Sequence, residues 1–353
     1  MMRIEYENRY ARMKKIRWGY VALLTAVLLS WYPFVSCRKG GSDFSGSISP
    51  PPPADSVPPD HSAPPAITGK LVYHRYSEYG EPASMYIYDF QMKKLTTISE
   101  HWNLFDPINA HFNPGGTKIV FMAESKRDGK WDIYLWTVGT ADQPVNLSAG
   151  DGCRDEDPKF SPDGNYICFK QTPAGGNGNI MIMDLNGRIT SQVTKNTVES
   201  GMPYYSADAG SILYARGAGN TSDIYRVNVN DLIQQPLANE SGVQEYYPIG
   251  RDTSSFLFSR WYSSSNLNDQ VYMGFYSGAP PARLKFNAPD ANYSDAFPCG
   301  EDDVILSSTR KDSKGGYDLY IADLLTGDIW SLSAYNSSIN GSDDELGACY
   351  SPN

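Results

Sequence analysis

The sequence predicts an all-β protein, a six-bladed β-propeller built of four-stranded antiparallel blades. Short runs rich in Val, Ile, Tyr and Phe dominate the 353 residues, 25 of which are tyrosines, and helical periodicity is scarce. A hairpin motif recurs at roughly 44–52 residues, the spacing of propeller blades. The two ends of the body carry complementary halves of one blade, so the ring is expected to close on itself.

Residues 1–36 predict a targeting signal rather than a part of the fold. A basic segment at 14–17 precedes the uncharged stretch 18–36, which ends in Phe-Val-Ser before Cys37. This order resembles a bacterial lipoprotein signal, in which the cysteine becomes the acylated N-terminus after cleavage. We therefore expect a protein anchored by lipid in the cell envelope, on the periplasmic or surface side of the outer membrane. An uncleaved signal anchor is the alternative, because the uncharged stretch could span a bilayer of about 30 Å.

Residues 37–66 predict a spacer that begins at the lipidated cysteine. The segment is rich in Gly and Ser and then in Pro, with an uninterrupted proline run at 50–53. Proline lacks the backbone donor that sheets and helix interiors need, and proline-rich linkers extend by about 3.1 Å per residue. We therefore expect a semi-rigid stalk that holds the folded body away from a membrane.

The clearest copy of the repeated hairpin lies at residues 157–170. Its turn at 161–164 reads Ser-Pro-Asp-Gly, in which proline fixes φ near the turn value and glycine accepts a positive φ. Further copies begin at Ala110, Pro203, Tyr247 and Ala296. A polar loop, a third strand and a weaker fourth strand follow, as at 131–136 and 145–148. Each unit therefore supplies four antiparallel strands, which is one blade.

The folded body is assigned to residues 67–353, and its ends determine the number of blades. The stretch 70–75 is a second strand with no first strand before it, and 348–353 is a first strand with no second. Joined together, these halves complete a sixth blade and remove the exposed sheet edges.

Three short motifs give the repeats a family resemblance. Phe-Ser-Pro-Asp-Gly at 160–164, Tyr-Asp-Leu-Tyr at 317–320 and the Asp157-Pro158 pair resemble the repeats of TolB-type six-bladed propellers. The resemblance covers about 67–353, while residues 37–66 have the composition of a linker where TolB carries an α/β domain. It implies the fold, because the matching residues belong to turns and to the core.

The charge of the chain argues against nucleic-acid binding. The net charge is −10, and the first 36 residues carry +4, which leaves −14 for the rest. An acidic body repels phosphate backbones and suits solubility or basic partners.

The predicted binding surface is the face that carries the B–C and D–A loops, where the strands of each blade are labelled A to D outward from the axis. We name it the mouth face, and the face with the A–B and C–D turns the turn face. The loops of the mouth face are longer and more varied, and binding residues concentrate on loops carried by a rigid frame. The site is therefore expected at these loops and at the channel mouth.

A charge pattern is expected on the mouth face, with an acid before each A strand and a base at the end of most B strands. The acids are Asp106, Asp157, Glu199, Glu245, Asp295 and Glu345. The bases are Arg75, Lys126, Lys170, Arg216, Arg260 and Arg310. Because A and B are antiparallel neighbours, the acid and the base of one blade should meet. The alternative is an acid-lined mouth that engages a basic or polyhydroxyl partner.

Aromatic side chains in the same loops are candidates for stacking on sugar rings or for a protein hot spot. They are Trp102, Phe105, Trp261, Tyr262 and Tyr293. The alternative is that they pack over the edges of the blades.

Motifs for catalysis, metals and cofactors are scarce. No nucleophile elbow, zinc-protease motif or phosphate loop is present, and His111 on an A strand is expected to face the channel or pack in the core. No cofactor or metal is predicted, because the acids near 151–156 and 343–345 match no Ca²⁺ loop. Cysteines 153, 168, 299 and 349 are disulfides or free thiols, since pairing does not follow from sequence.

These observations predict a lipid-anchored, monomeric envelope protein that binds a protein or a glycan at its mouth face without catalysis. The candidate binding residues are Trp102, Asp106, Asp157, Glu245, Arg260, Trp261, Tyr262, Tyr293, Asp295 and Arg310. The alternative is a polysaccharide lyase or hydrolase built on the same frame. That alternative requires His101, Glu245 and Arg260 to converge in one pocket without pairing with one another.

Overall fold

The computed structural model describes residues 63–76, 82–126, 130–217 and 221–353, and all structural statements concern this part of the chain. It contains six four-stranded antiparallel sheets, and its one helical element is a short 3-10 helix, η1 (Leu332–Ala334). The prediction of a six-bladed all-β propeller is confirmed.

The strands follow one another in the order that the repeat predicted. Blades 1 and 2 contain β24 (Asp344–Ser351), β1 (Lys70–Tyr76), β2 (Ser84–Asp89) and β3 (Lys94–Thr97), then β4 (Phe105–Phe112), β5 (Lys118–Glu124), β6 (Trp131–Thr137) and β7 (Val145–Asn146). Blades 3 and 4 contain β8 (Arg154–Phe160), β9 (Tyr166–Thr172), β10 (Asn179–Asp184) and β11 (Ile189–Gln192), then β12 (Ser200–Tyr205), β13 (Ser211–Arg216), β14 (Asp223–Asn228) and β15 (Gln234–Ala238). Blades 5 and 6 contain β16 (Glu245–Gly250), β17 (Ser255–Trp261), β18 (Asp269–Phe275) and β19 (Ala282–Arg283), then β20 (Tyr293–Pro298), β21 (Asp303–Ser308), β22 (Asp318–Asp323) and β23 (Ile329–Ser331).

The ring closes through blade 1, as predicted. Strand β24 pairs antiparallel with β1, with Lys70 opposite Ser351 and Arg75 opposite Glu345. The C-terminal strand is therefore the A strand of the N-terminal blade. The Lys70 Nζ also donates to the carbonyl of Asn353 at 2.9 Å, which ties the two ends together.

The hairpin of blade 3 has the predicted turn. Gly164 has a φ of +73°, and its N–H donates to the Ser161 carbonyl at 2.8 Å. The Ser161 hydroxyl accepts from the Tyr166 N–H at 2.9 Å, which starts strand β9. Local turn chemistry therefore fixes the A–B connection.

The A strands differ from the prediction, because each begins two to five residues earlier and contains a bulge. Residues at these bulges have a positive φ, and blade 2 has two of them, of which Asp106 is the first. We name the six residues that lie nearest the A–B turn, one from each blade, the bulge ring. They are Asn109, Asp157, Met202, Tyr247, Asp295 and Gly347. Five of them are not glycine, and a non-glycine residue in this conformation costs on the order of 1–2 kcal/mol. The same strained geometry recurs in all six blades.

The hydrophobic core lies between the blades. Side chains of the B strands, including Tyr73, Phe121, Phe169 and Phe258, are almost completely buried. Both faces of a blade pack against its neighbours, so the B strands are continuous apolar runs rather than alternating ones. Each such large side chain contributes about 1.5–3 kcal/mol by burial.

The predicted signal 1–36, Cys37 and the linker up to residue 62 lie outside the described residues. Within the linker, the Pro65 carbonyl accepts from the Tyr335 hydroxyl at 2.6 Å, and Ile67 packs on the core between blades 6 and 1. No helix in the described ranges has the length and apolarity needed to cross a bilayer. All four described cysteines are free thiols, and all except Cys153 are buried.

Candidate binding site

The ends of the B strands meet the starts of the A strands on the mouth face. In blade 1 the Arg75 Nε lies 2.7 Å from Glu345 Oε1, and in blade 5 the Arg260 Nε lies 3.2 Å from Glu245 Oε1. The intrablade pairs expected for these two blades are confirmed. Both carboxylates are fully buried, and burial raises the pKa of Glu245 to about 7 although the Arg260 charge opposes this. Because Glu245 and Arg260 pair with each other, the condition set for the enzyme alternative is not met.

In blade 3 the expected pairing of Asp157 with Lys170 is wrong. Lys170 lies opposite Glu156 in the strand register, and its Nζ is 3.1 Å from Glu156 Oε2. The same ammonium is 2.5 Å from Glu199 Oε1, so it links blade 3 to the start of blade 4. The bulge explains the error, because a shift of one residue turns the next side chain to the opposite face of the strand.

The expected intrablade pairs are also wrong in the remaining blades. Arg310 Nε is 3.0 Å from Asp312 Oδ1, and its guanidinium belongs to this local pair rather than to Asp295. Asp106 accepts the N–H of Ala83 from blade 1 at 2.8 Å. Arg216 stacks over Tyr225, with its Cζ 4.9 Å from the ring centroid. The six acids thus occupy different positions in their blades and do not form one ring of pairs.

Two of the predicted acids, Asp157 and Asp295, belong to the bulge ring. They come from blades 3 and 6, which are half a turn apart, so they lie on opposite sides of the axis. Asn109 Nδ2 donates to Asp157 Oδ1 at 2.8 Å, and the Ser294 hydroxyl donates to Asp295 Oδ1 at 3.1 Å. Burial raises the pKa of Asp157, and the neighbouring Glu156 charge adds to the shift.

The bulge ring surrounds a cavity on the axis, which we name the cup. The cup contains about 540 Å³ of space free of protein atoms, and A-strand residues alone line it. Below the bulge ring its wall continues with His111, Lys159, Ile249, Phe297 and Cys349. This figure includes the open solvent at the mouth of the cup.

Three rings close the cup toward the turn face. His111, Tyr204 and Phe297 come from blades 2, 4 and 6, with ring centroids separated by 5.5, 5.9 and 6.4 Å. Rings at these distances are in mutual contact and leave no passage along the axis. The cup is therefore open at the mouth face and closed toward the turn face.

His111 is a neutral histidine with a defined tautomer. The Phe160 N–H donates to its Nδ1 at 3.2 Å, so the ring proton lies on Nε2, 3.3 Å from the Tyr204 hydroxyl. Burial lowers the pKa of His111 far below its usual value, and the nearby Lys159 charge acts in the same direction. His111 thus both faces the channel and packs among aromatic rings, which combines the two roles expected for it.

Lys159 is the basic side chain of the cup wall. It is half-buried, and its ammonium makes no hydrogen bond and no ion pair with any residue that the structure describes. Its charge helps burial to lower the pKa of His74, both of whose ring nitrogens are buried without a hydrogen-bond partner. The neighbouring histidines therefore stay neutral, and the positive charge of this wall is that of Lys159.

Two of the predicted loop aromatics pack over the blades. The Trp102 ring stacks on Phe121 with centroids 4.9 Å apart. Tyr293 is only 1% exposed and lies 6.2 Å from the Phe286 ring, so the expectation that it is an exposed loop aromatic is wrong. Tyr293 is the first residue of β20, where both faces of the sheet are covered.

Tyr262 and Trp261 follow the B strand of blade 5 on the mouth face. Tyr262 is 42% exposed, and the Arg283 guanidinium lies over its ring at 5.1 Å. Trp261 is half-buried at the end of β17. Tyr262 is therefore the aromatic candidate that remains accessible to a partner.

Four residues that line the cup were not predicted from the sequence: Asn109, Lys159, Met202 and Tyr247. A signal for three of the blades was present, since Pro158, Pro203 and Pro248 each follow a bulge-ring residue. Proline lacks the N–H of a ladder bond and is confined to edge strands and bulges. No proline follows Asn109 or Asp295 in the sequence.

The acids at the start of β8 form a separate polar group. Asp155 is fully buried, no lysine or arginine pairs with it among the described residues, and burial raises its pKa to about 7. Asp151 accepts from Gln171 Nε2 at 2.8 Å. In the described ranges, no group of three or more His, Cys, Asp or Glu side chains could hold a metal ion.

Comparisons with known proteins agree with this architecture. Residues 68–248, about half of the chain, match the family model described as the TolB beta propeller domain. TolB from Acinetobacter baumannii is similar with a TM-score of 0.61 and 16% identity, over 82% of this chain and 68% of that one. A putative TolB from Agrobacterium tumefaciens has a TM-score of 0.58 and 15% identity, over 80% and 98% of the two chains.

An enzyme also has a similar fold over part of its chain. Hydrazine synthase from Kuenenia stuttgartiensis has a TM-score of 0.62 and 12% identity, over 81% of this chain and 48% of that one. At such identities these structures show a shared fold and nothing about a shared activity.

Proposed function

The chain belongs to the TolB β-propeller domain family, and from that premise we propose that it is a non-catalytic binding protein of the bacterial cell envelope. In this proposal a lipid on Cys37 anchors the protein, the segment 37–66 holds the propeller off the membrane, and the mouth face engages an envelope protein. A glycan is the other candidate ligand, and a lyase or hydrolase built on the same frame is the alternative function.

The observation that carries the proposal is the blind cup at the mouth face. Six residues with a positive φ, one from each blade, surround its entrance, and the five that are not glycine carry conformational strain, which concentrates at ligand sites. Asp157, Asp295 and Lys159 in its wall can meet charges on a partner, and Tyr262 offers an exposed ring on the same face of the propeller. Charge complementarity of this kind gives specificity in protein recognition.

The ion pairs between the A and B strands support binding rather than catalysis. Arg75, Arg260 and Lys170 are each held by carboxylates of the fold, so these groups act within the framework. A catalytic acid or base would need to reach a substrate proton within about 3 Å. Glu245 and Glu345 are fully buried behind their arginines and have no such access.

Site-specific photo-crosslinking in cells tests the proposal. A photoreactive amino acid replaces Tyr247 or Met202 at the cup entrance, or Met92 on the turn face as a matched control, since Met92 is 67% exposed. We expect discrete crosslinks to an envelope protein from the two entrance positions and none from Met92. Equal crosslinking from all three positions contradicts the proposed surface.

Two further measurements separate the remaining alternatives. A glycan array probed with the full chain, beside a turnover assay on polysaccharides, distinguishes a protein partner from a glycan ligand or a lyase. For the anchor, Cys37→Ala is expected to abolish incorporation of labelled fatty acid and to release the protein from membranes. Unchanged membrane association would instead indicate an uncleaved signal anchor.

A further inference from the structure

The cup contains a cation that the fold does not neutralise. Lys159 is half-buried in the cup wall, and its ammonium has no hydrogen-bonding or ion-pairing partner in the described part of the chain. An ammonium that loses water without gaining a partner is unfavourable, so buried charges are normally paired. The acid nearest in sequence, Asp157, accepts from Asn109, and the Lys159 charge acts to lower its pKa without forming an ion pair with it in the described residues.

The shape of the cup restricts what can meet this cation. The rings of His111, Tyr204 and Phe297 close the axis, so no chain can thread through the propeller. A ligand must enter and leave through the bulge ring. The group that enters must be small, such as one side chain or one chain terminus with its stem.

We propose that the cup is a carboxylate-binding site, in which the Lys159 ammonium forms an ion pair with a carboxylate inserted through the mouth face. The Asn109 amide at the same wall can donate a second hydrogen bond to that group. That the carboxylate belongs to a partner protein rests on the proposed function, whereas the site itself does not. The group is the side chain of an acidic residue or the C-terminus of a chain.

Two acids of the bulge ring share the cup with Lys159. Burial and the Glu156 charge raise the pKa of Asp157, whereas the charges of Lys159 and Lys170 and the Asn109 hydrogen bond oppose this rise. Asp295 lies on the far side of the axis and accepts from the Ser294 hydroxyl.

The wall beside Lys159 consists largely of neutral and apolar groups, which strengthen a charge-assisted hydrogen bond. His111 in the wall and the nearby His74 are buried and held neutral, and apolar Ile249 and Phe297 line part of the depth. In such surroundings an N⁺–H···O⁻ bond is about twice as strong as a neutral one. The same surroundings favour a carboxylate on a short apolar stem.

Titration of the full chain with four small probes tests the site. N-acetylglutamic acid α-amide carries only a side-chain carboxylate, acetyl-trialanine only a terminal one, acetyl-trialanine amide carries none, and butylamine is a cation. We expect one or both carboxylates to bind and the amide to fail, with the tighter of the two identifying the source. Binding of the amide or of butylamine as tightly as either carboxylate overturns the proposal.

Variants locate the binding. Lys159→Met keeps most of the side-chain volume and is expected to weaken carboxylate binding at least tenfold, while the exposed Lys94→Met leaves it unchanged. Circular dichroism verifies that both variants fold. Equal affinities for Lys159→Met and the wild type overturn the assignment.

A measurement on the wild-type chain avoids dependence on any variant. Acetylation of Lys159 by an activated ester, followed by mass spectrometry, is expected to slow several-fold when a carboxylate probe is present. Lys94 reports the reactivity of an exposed amine in the same sample and should not change. Absence of protection at Lys159 contradicts the proposal.

These tests fail separately from those of the proposed function. Carboxylate binding at Lys159 without crosslinked protein would uphold the site and remove the envelope partner. Crosslinks from Tyr247 without carboxylate preference would uphold the partner and overturn the carboxylate site.

Discussion

Lys170 and Lys159 lie on neighbouring strands of blade 3, yet the fold treats their charges differently. Lys170 is 1% exposed and is held by Glu156 at 3.1 Å and by Glu199 at 2.5 Å. Lys159 faces the cup and has no such partner in the described ranges. The first charge joins two blades, and the second is open to a ligand.

This difference separates two layers of the propeller. In the outer layer, between A and B strands, carboxylates such as Glu345 and Glu245 are buried with an arginine from the same blade. In the inner layer, the bulge ring turns polar side chains toward the axis, where Asn109 donates to Asp157 and Ser294 donates to Asp295. The counting of acids and bases does not distinguish the layers, because both contain the same residue types.

The largest expected effect comes from the outer layer. Lys170→Met leaves the carboxylates of Glu156 and Glu199 without their shared cation, and breaking a buried pair in this way costs about 3–5 kcal/mol. Urea unfolding measures the loss in the free energy of unfolding. The control Lys94→Met should change it by less than about 0.5 kcal/mol, as exposed positions do. If Lys170→Met lowered the free energy of unfolding as little as the control does, water would already screen the charges of Lys170, Glu156 and Glu199.

The outer layer could be predicted in part, and the inner layer hardly at all. The turn at 161–164 and the closure of Lys70 on Ser351 follow from local turn chemistry and strand count. The pair of Arg75 with Glu345 followed from antiparallel neighbours. The bulges did not follow, because a single extra residue leaves no periodic signal and yet reverses which side chains face the axis. Lys159 was missed for that reason.

A second prediction concerns the position in the bulge ring where glycine occurs. A Cβ at Gly347 would lie 2.6 Å from the His74 ring, whereas a Cβ at Gly139, which also has a positive φ, would meet nothing within 4 Å. Gly139→Ala therefore reports backbone strain alone. We expect Gly347→Ala to destabilise by about 1–3 kcal/mol more, the cost of overpacking.

A double mutant checks the cause of that difference. If crowding against His74 is responsible, adding His74→Ala should recover part of the loss, with a coupling energy of at least about 0.5 kcal/mol. Chemical denaturation of the four variants gives these energies. Equal losses for the two glycine substitutions would show that strain, and not the packing of His74, governs this position.

A third prediction uses the buried acid of blade 3 that lacks a cation. Burial raises the pKa of Asp155 to about 7 from a usual value of about 4. Between these values the folded state binds more protons than the unfolded state, so stability falls as pH rises through this window and levels off above it. Its contribution is fully present below about pH 4 and is lost as pH passes about 7.

The change in unfolding free energy between about pH 5 and pH 8 measures this effect. We expect the fall to be smaller in Asp155→Asn than in the wild type by about 1–2 kcal/mol, since one unit of pKa corresponds to about 1.4 kcal/mol. Asp142→Asn, at an exposed position, should keep the slope of the wild type. An unchanged slope in Asp155→Asn would assign the pH dependence to other buried acids, such as Glu245.

The smallest expected effect on stability is at Lys159, and it is the most direct test of the comparison. Lys159→Met removes no ion pair and relieves the desolvation of a half-buried ammonium, so the free energy of unfolding should change by less than about 0.5 kcal/mol. The same measurement that shows a large loss for Lys170→Met should therefore show almost none here, in the absence of ligand. A loss comparable to that of Lys170→Met would mean that the fold itself uses the Lys159 charge. The two lysines would then have the same role, and the cup would hold no cation for a partner.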